Sequence, residues 1–199
     1  HELQTPLAVI GNRVEWLLDN PALTEEQAAE LFKIEKTLSH AVRLNKTLLL
    51  LTKIDNHQFP ESTDVNMVEL IEECVENYGE VYSSRSVDFS CDLPENYTLH
   101  INPSLAATMV NNLVKNAYVH SQEGAVASVT LQGDELVVSN TGEAALDADH
   151  IFDRFYQGQR KSGSTGLGLA LVAAVCRYYN MGITYRFEGG RHNFCVKLK

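Results

Sequence analysis

Asn111-Asn112-Leu113-Val114-Lys115-Asn116-Ala117 sits inside an apolar repeat, and its reading decides the fold. Leu105, Met109, Leu113 and Ala117 recur at four-residue steps, which predicts a helix at about 103–120 with one buried stripe. Asn112, Asn116 and His120 form a second stripe beside it, while Asn111 and Lys115 point elsewhere. Amides bordering a core need partners. Neighbouring backbone would serve. So would a hard cation held together with nucleotide phosphates, which takes an Asn carbonyl oxygen.

Outward from this helix the pattern mixes α and β. A helix is expected at about 65–82, with strands near 87–91 and 97–101. Strands near 125–131 and 134–140 follow the central helix. After an irregular stretch come a helix near 166–180 and strands near 182–187 and 192–198. The N-terminal part differs. Leu3, Leu7, Ile10, Val14 and Leu17 mark a helix that Asp19-Asn20-Pro21 breaks. Thr24-Glu25-Glu26-Gln27 reads as a capping box opening a second helix through Leu31, Ile34, Leu38, Ala41, Leu44, Leu48 and Leu51. Its apolar stripe is widened by Val42, Leu49, Leu50 and Ile54. Two long helices with a short loop make an antiparallel hairpin. Stripes too wide for one partner predict that two hairpins dimerise into a four-helix bundle. His57–Ser62 has linker composition. The expected class is α+β: a hairpin over 1–58, then an α/β two-layer sandwich over 59–199.

Composition narrows the function. Of 199 residues, 44% are hydrophobic and 21% charged, as in ordinary globular proteins. The net charge of −10 argues against a nucleic-acid partner, because phosphate contacts need a basic face. No apolar run reaches the roughly 18 residues of a membrane span. The sequence starts at His1 rather than Met, so it reads as part of a longer chain. Cys74, Cys91, Cys176 and Cys195 are scattered without a CxxC pair, which favours small buried hydrophobes over metal ligands or disulfides. His40, His57, His100, His120, His150 and His192 also lack zinc-ligand spacing.

Three further stretches carry chemistry. In His1-Glu2-Leu3-Gln4-Thr5-Pro6, a helical His1 lies off the apolar seam with Thr5 one turn along. Glu2 could accept the Nδ1 proton and leave Nε2 as a nucleophile, and Pro6 can kink the helix there. An exposed terminal histidine would look the same. In Val137-Val138-Ser139-Asn140-Thr141-Gly142 a strand ends in a polar turn, which could be a plain Asn turn or an acceptor recognising a base. Ile151-Phe152-Asp153-Arg154-Phe155-Tyr156 precedes a loop with Arg160 and Lys161 that runs through Gly166-Leu167-Gly168 into a helix. Glycines there let backbone approach a phosphate, and the helix N-terminus supplies N–H donors.

The order of these stretches resembles the sensor histidine kinases of two-component systems over nearly the whole chain. His1–Pro6 is similar to their H-box and Asn112–Ala117 to the N-box. Ser139–Gly142 is similar to a variant G1-box, Ile151–Tyr156 to the F-box and Gly163–Leu169 to the G2-box. The resemblance implies an ATP-binding sandwich of the gyrase, Hsp90 and MutL type. It implies autophosphorylation of His1 from ATP and relay to an aspartate on a response regulator receiver domain, with possible phosphatase activity. Glu2 would be the acid/base partner, and Thr5 would position water for dephosphorylation. Asn116 would ligate Mg²⁺ and Asn112 would support the phosphates, with His120 beside them. Asn140 would meet adenine where the family usually has Asp, and Gly142 would let the base approach. Tyr156 would lie near the nucleoside. Arg160, Lys161, Gly166, Leu167 and Gly168 would wrap the phosphates. A homodimeric, cytoplasmic catalytic portion of a membrane-bound sensor is implied, anchored only through other segments. Departures are Asn140, Glu143-Ala144 after Gly142, and Val119 where Lys or Arg is common. They motivate one alternative, a weakly active nucleotide-binding scaffold or phosphatase; a second, a gyrase-like or Hsp90-like ATPase, is opposed by the His1 hairpin. An Asn amide can both accept and donate, so Asn140 is expected to relax base selectivity by flipping.

Overall fold

The computed structural model describes residues 2–157 and 165–199. The chain divides into two compact units, His1–Thr52 and Lys53–Lys199.

The first unit is made of α1 (Gln4–Leu18) and most of α2 (Glu25–Asp55). Pro6 falls in the first turn of α1, where the missing N–H leaves no intrahelical bond unmade. The expected capping box forms. The Gln27 amide donates to Thr24 Oγ1 at 3.2 Å, and the Thr24 amide donates to Gln27 Oε1 at 3.1 Å. Asp19–Thr24 reverses the chain, with the Ala22 amide bonded to Asn20 Oδ1. Gly11 in mid-α1 then lies against Leu38 in mid-α2, as a hairpin requires. Val14 is buried, yet Leu3, Val9, Ile10, Trp16, Phe32 and Ile34 stay exposed.

The second unit contains β1 (Thr63–Asn66), α3 (Met67–Val81), a 3₁₀ turn at Ser83–Arg85, β2 (Asp88–Asp92) and β3 (Thr98–Ile101). Then come α4 (Pro103–His120), β4 (Val126–Gln132), β5 (Glu135–Thr141), α5 (Gly168–Tyr178), β6 (Gly182–Glu188) and β7 (Arg191–Lys197). The five-stranded sheet has order β2-β4-β5-β7-β6. β2 and β4 are parallel and the other pairs antiparallel. α4 lies between α3 and α5 and over β4 and β5. Leu105, Met109, Leu113, Val129, Leu136 and Val172 fill the space between layers. A helical N-terminal part followed by an α/β sandwich is the fold class expected from the sequence.

One element differs from expectation. The helix expected from about 65 begins at Met67, and Thr63–Asn66 instead pairs antiparallel with β3. Asn66 ends the strand and caps α3 by accepting the Val68 amide at 3.1 Å. No helix among the described residues is long and apolar enough to cross a membrane.

Candidate functional site

Three asparagines on α4 have three different environments. Asn111 donates to Ala107 O at 2.7 Å and accepts from Cys74 Sγ of α3, so it faces away from the other two. Asn112 donates to Thr108 O at 2.7 Å. Asn116, one turn further along the same face, is half-buried, and among the described residues its side chain has no hydrogen-bond partner. Two amides are thus spent on carbonyls of their own helix, and Asn116 keeps its amide available. His120 is half-buried on that face in the last turn. The helix that carries them is fixed at its start by Asn102. Its Oδ1 accepts from the Ser104 and Leu105 amides while its Nδ2 donates to Glu61 O.

The N-terminus of α5 lies beside this face. A Cβ on Gly168 would come within 2.9 Å of Asn112 Oδ1, so only glycine lets the helix start this close to the amide. Among the described residues no side chain caps α5. Its first amides precede the first i−4 bond, from Leu171 to Leu167, so the helix itself offers them no carbonyl. Gly166 has φ +66°, and a Cβ there would lie 2.7 Å from Phe155 C and Tyr156 O. The Phe155 amide donates to Gly166 O at 2.9 Å. The aromatic stretch and Gly166 are therefore braced against each other, and Leu167 is fully buried. Tyr156 OH accepts from the Asp147 amide at 3.2 Å.

The end of β5 forms the other side. Asn140 is 1% exposed and follows Leu136 and Val138 on the face toward the helices. Its Nδ2 donates to Thr141 O at 3.1 Å. In this arrangement Oδ1 is the free acceptor, and the flip expected for guanine would set Oδ1 against that carbonyl. Gly142 is closed over by His192, because a Cβ there would overlap the imidazole Nε2. His192 Nδ1 is 2.8 Å from Tyr185 OH, and burial lowers the His192 pKa.

Glu2 and Thr5 are exposed near the start of α1. His1, Arg160 and Lys161 lie outside the described residues. Asn112 and Gly168 come together, as do Tyr156 and Gly166. Sequence reading weighed His192 only as a zinc ligand and passed over Tyr185 and Arg85. Arg85 Nη1 donates to the carbonyls of Tyr118, Val119 and Ser121, tying down the end of α4. A lone basic residue in a turn gave no sign of that role.

Residues 101–199 match the family model of histidine kinase-, DNA gyrase B- and HSP90-like ATPases. Residues 1–57 match that of the His kinase A phospho-acceptor domain. The chain thus joins a phospho-acceptor hairpin to an ATPase-type sandwich. It belongs to the sensor histidine kinases of two-component systems.

TcrY of Mycobacterium tuberculosis, named a probable sensor histidine kinase, is 30% identical over 212 residues, covering 100% of this chain and 44% of that protein. The sensor protein QseC of Salmonella typhi is 28% identical over 200 residues, covering 96% of this chain and 44% of its own length. The chain therefore spans less than half the length of these relatives. Among solved structures, the Acinetobacter baumannii histidine kinase AdeS superposes with TM-score 0.68 at 21% identity, over 100% of this chain and 97% of that one. Full-length ShkA in complex with AMPPNP gives 0.78 at 20% identity, over 98% and 43%. These likenesses show the fold.

Proposed function

We propose that the chain transfers the γ-phosphoryl of ATP to His1 and then to an aspartate of a response regulator receiver domain. One observation carries this reading. Among the described residues, Asn116 keeps an unspent amide beside Asn112, and no side chain caps the start of α5 that packs against Asn112. Amide oxygen and helix-start N–H donors suit a magnesium nucleotide.

Asn116 Oδ1 would hold Mg²⁺, which neutralises charge on the phosphates. The first amides of α5 would bind phosphate oxygens, and Asn140 Oδ1 would accept from the adenine amino group. Such positioning and charge neutralisation make up most of the catalysis in phosphoryl transfer. At the other end His1 Nε2 attacks phosphorus, the bond to the bridging oxygen breaks and ADP leaves. Glu2 takes the Nδ1 proton. The receiver carboxylate then displaces the histidine. In the opposing phosphatase activity Thr5 orients water toward the receiver's phosphoaspartate, releasing inorganic phosphate and the free carboxylate. Residues 1–58 act as phosphoacceptor and dimerisation domain and 59–199 as catalytic domain, in the cytoplasmic part of a membrane-bound sensor.

Labelled ATP tests this. Label should attach, be lost in acid, and be absent from His1→Gln. Asn116→Ala should lose both labelling and Mg²⁺-dependent ATP binding while keeping its unfolding midpoint. Labelling that persists in His1→Gln would refute the phosphoacceptor assignment.

A further inference from the structure

Asn140 and His192 are register partners on β5 and β7, so their side chains leave the sheet on the same face. Asn140 Nδ2 is held by Thr141 O, which leaves Oδ1 as an acceptor. Tyr185 OH accepts from the Leu146 amide at 3.0 Å. Among the described residues, His192 Nδ1 at 2.8 Å is the remaining acceptor for the phenol's own proton. A phenol proton donated to Nδ1 puts the ring hydrogen on Nε2, the tautomer the proposal below uses. Burial keeps the imidazole neutral by lowering its pKa, so this tautomer persists at neutral pH.

Nε2 lies at Gly142, in the space a side chain there would fill. Among the described residues it has no hydrogen-bond partner, and no buried side-chain nitrogen or oxygen lacks one. Nε2 is thus an aimed donor open to a ligand. An acceptor and a donor on adjacent strands match one purine edge. Adenine offers an amino donor beside the N1 acceptor. Guanine offers a carbonyl beside N1–H, wrong at both positions.

We propose that His192 donates from Nε2 to N1 of adenine while Asn140 accepts from the adenine amino group. His192 is then a specificity-determining residue of the nucleotide site, held in the required tautomer by Tyr185. The proposal rests on the ATP reading above.

Calorimetric titration of the whole chain with ATP, 1-deaza-ATP and GTP tests it. In 1-deaza-ATP a C–H replaces N1 and the amino group stays. The native chain should bind ATP roughly three- to tenfold more tightly than 1-deaza-ATP, the range for one neutral hydrogen bond. GTP should bind more weakly still. In His192→Phe the ATP to 1-deaza-ATP ratio should fall to about one. Tyr185→Phe keeps the imidazole but frees its tautomer, and should move the ratio part of the way. Equal native affinity for ATP and 1-deaza-ATP would overturn the proposal, and that comparison needs no variant to fold. A ratio unchanged in His192→Phe would overturn it as well. If ATP and GTP both bind and only the N1 dependence is missing, the ATP site stands without His192. If none of the three binds, the site itself is refuted and the proposal with it.

Discussion

At the scale of single residues, the two glycines before α5 are required for different reasons, and their replacements should behave differently. Gly168 faces a side chain, Asn112, which Thr108 O pins in place. Gly168→Ala should cost about 1 kcal/mol of stability, the low end for an overpacked site. Adding Asn112→Ala should return part of it, and chemical denaturation of both single variants and the double one reads that coupling. Gly166 faces backbone and has positive φ. Gly166→Ala should cost about 1–3 kcal/mol, and Asn112→Ala should not help. Equal rescue of both would show that Asn112 is not the obstacle at Gly168. The sequence showed these glycines as phosphate-loop residues, but not their packing against Asn112 and the Phe155–Tyr156 peptide. Such contacts join distant segments and leave no local pattern.

His192 has a measurable pH signature. Its folded pKa lies below the 6.5 of the free side chain because burial disfavours the charged ring. On acidification the unfolded chain therefore takes the proton first. The stability contributed by the neutral ring is complete above about pH 6.5 and is lost as pH falls through the folded value. The urea midpoint should drop between pH 7 and pH 5 by more in the native chain than in His192→Phe. Equal drops would assign the acid sensitivity to other groups. His150 acts in the opposite sense, since its bond to Asp153 raises its pKa, but it is fully exposed and is present in both proteins.

At the scale of elements, caps decide where the functional helices start. α4 occupies Pro103–His120, the range its four-residue repeat predicts, because Asn102 caps it and Pro103 pre-forms its first turn. Asn102 does more than Asn66, which accepts a single amide, since it also binds the linker carbonyl of Glu61. Asn102→Ala should cost about 1–2 kcal/mol and more than Asn66→Ala, where the cap alone is lost. A thermal-shift comparison checks the order. The helices and the main strands were legible because their periodicities run for five residues or more. β1 was not, because Thr-Asp-Val-Asn carries one apolar residue beside the linker, whereas Thr-Leu-His-Ile of β3, equally short, alternates. His192 was not, because only the β5–β7 register brings it opposite Asn140.

At the scale of the whole molecule, the contacts made by the end of α2 fix where the second compact unit can be cut free. The second compact unit starts at Lys53, inside α2. Ile54 is 2% exposed. Asp55 pairs with Arg154 of the aromatic stretch. The His57 ring lies 4.9 Å from that of Tyr178, and Tyr178 OH donates to Phe59 O at 2.7 Å. Ser62 and the Asn102 amide share Tyr179 OH, which ties the following residues to the end of α5. A fragment of residues 53–199 keeps all of these contacts. A fragment starting at residue 60 loses the apolar burial of Ile54, the ion pair, the ring contact and the Tyr178 bond. Burying one isoleucine side chain alone is worth about 1.5–3 kcal/mol, and the exposed ion pair adds little. The shorter fragment should therefore melt several degrees lower while still binding ATP. Both fragments lack Val9, Trp16 and Phe32, apolar residues that the first unit leaves exposed. In sedimentation both should be monomers, and the whole chain should be a dimer. Equal melting temperatures would show that the end of α2 is not part of the folded nucleotide unit. A dimeric 53–199 fragment would move the dimer interface out of the hairpin.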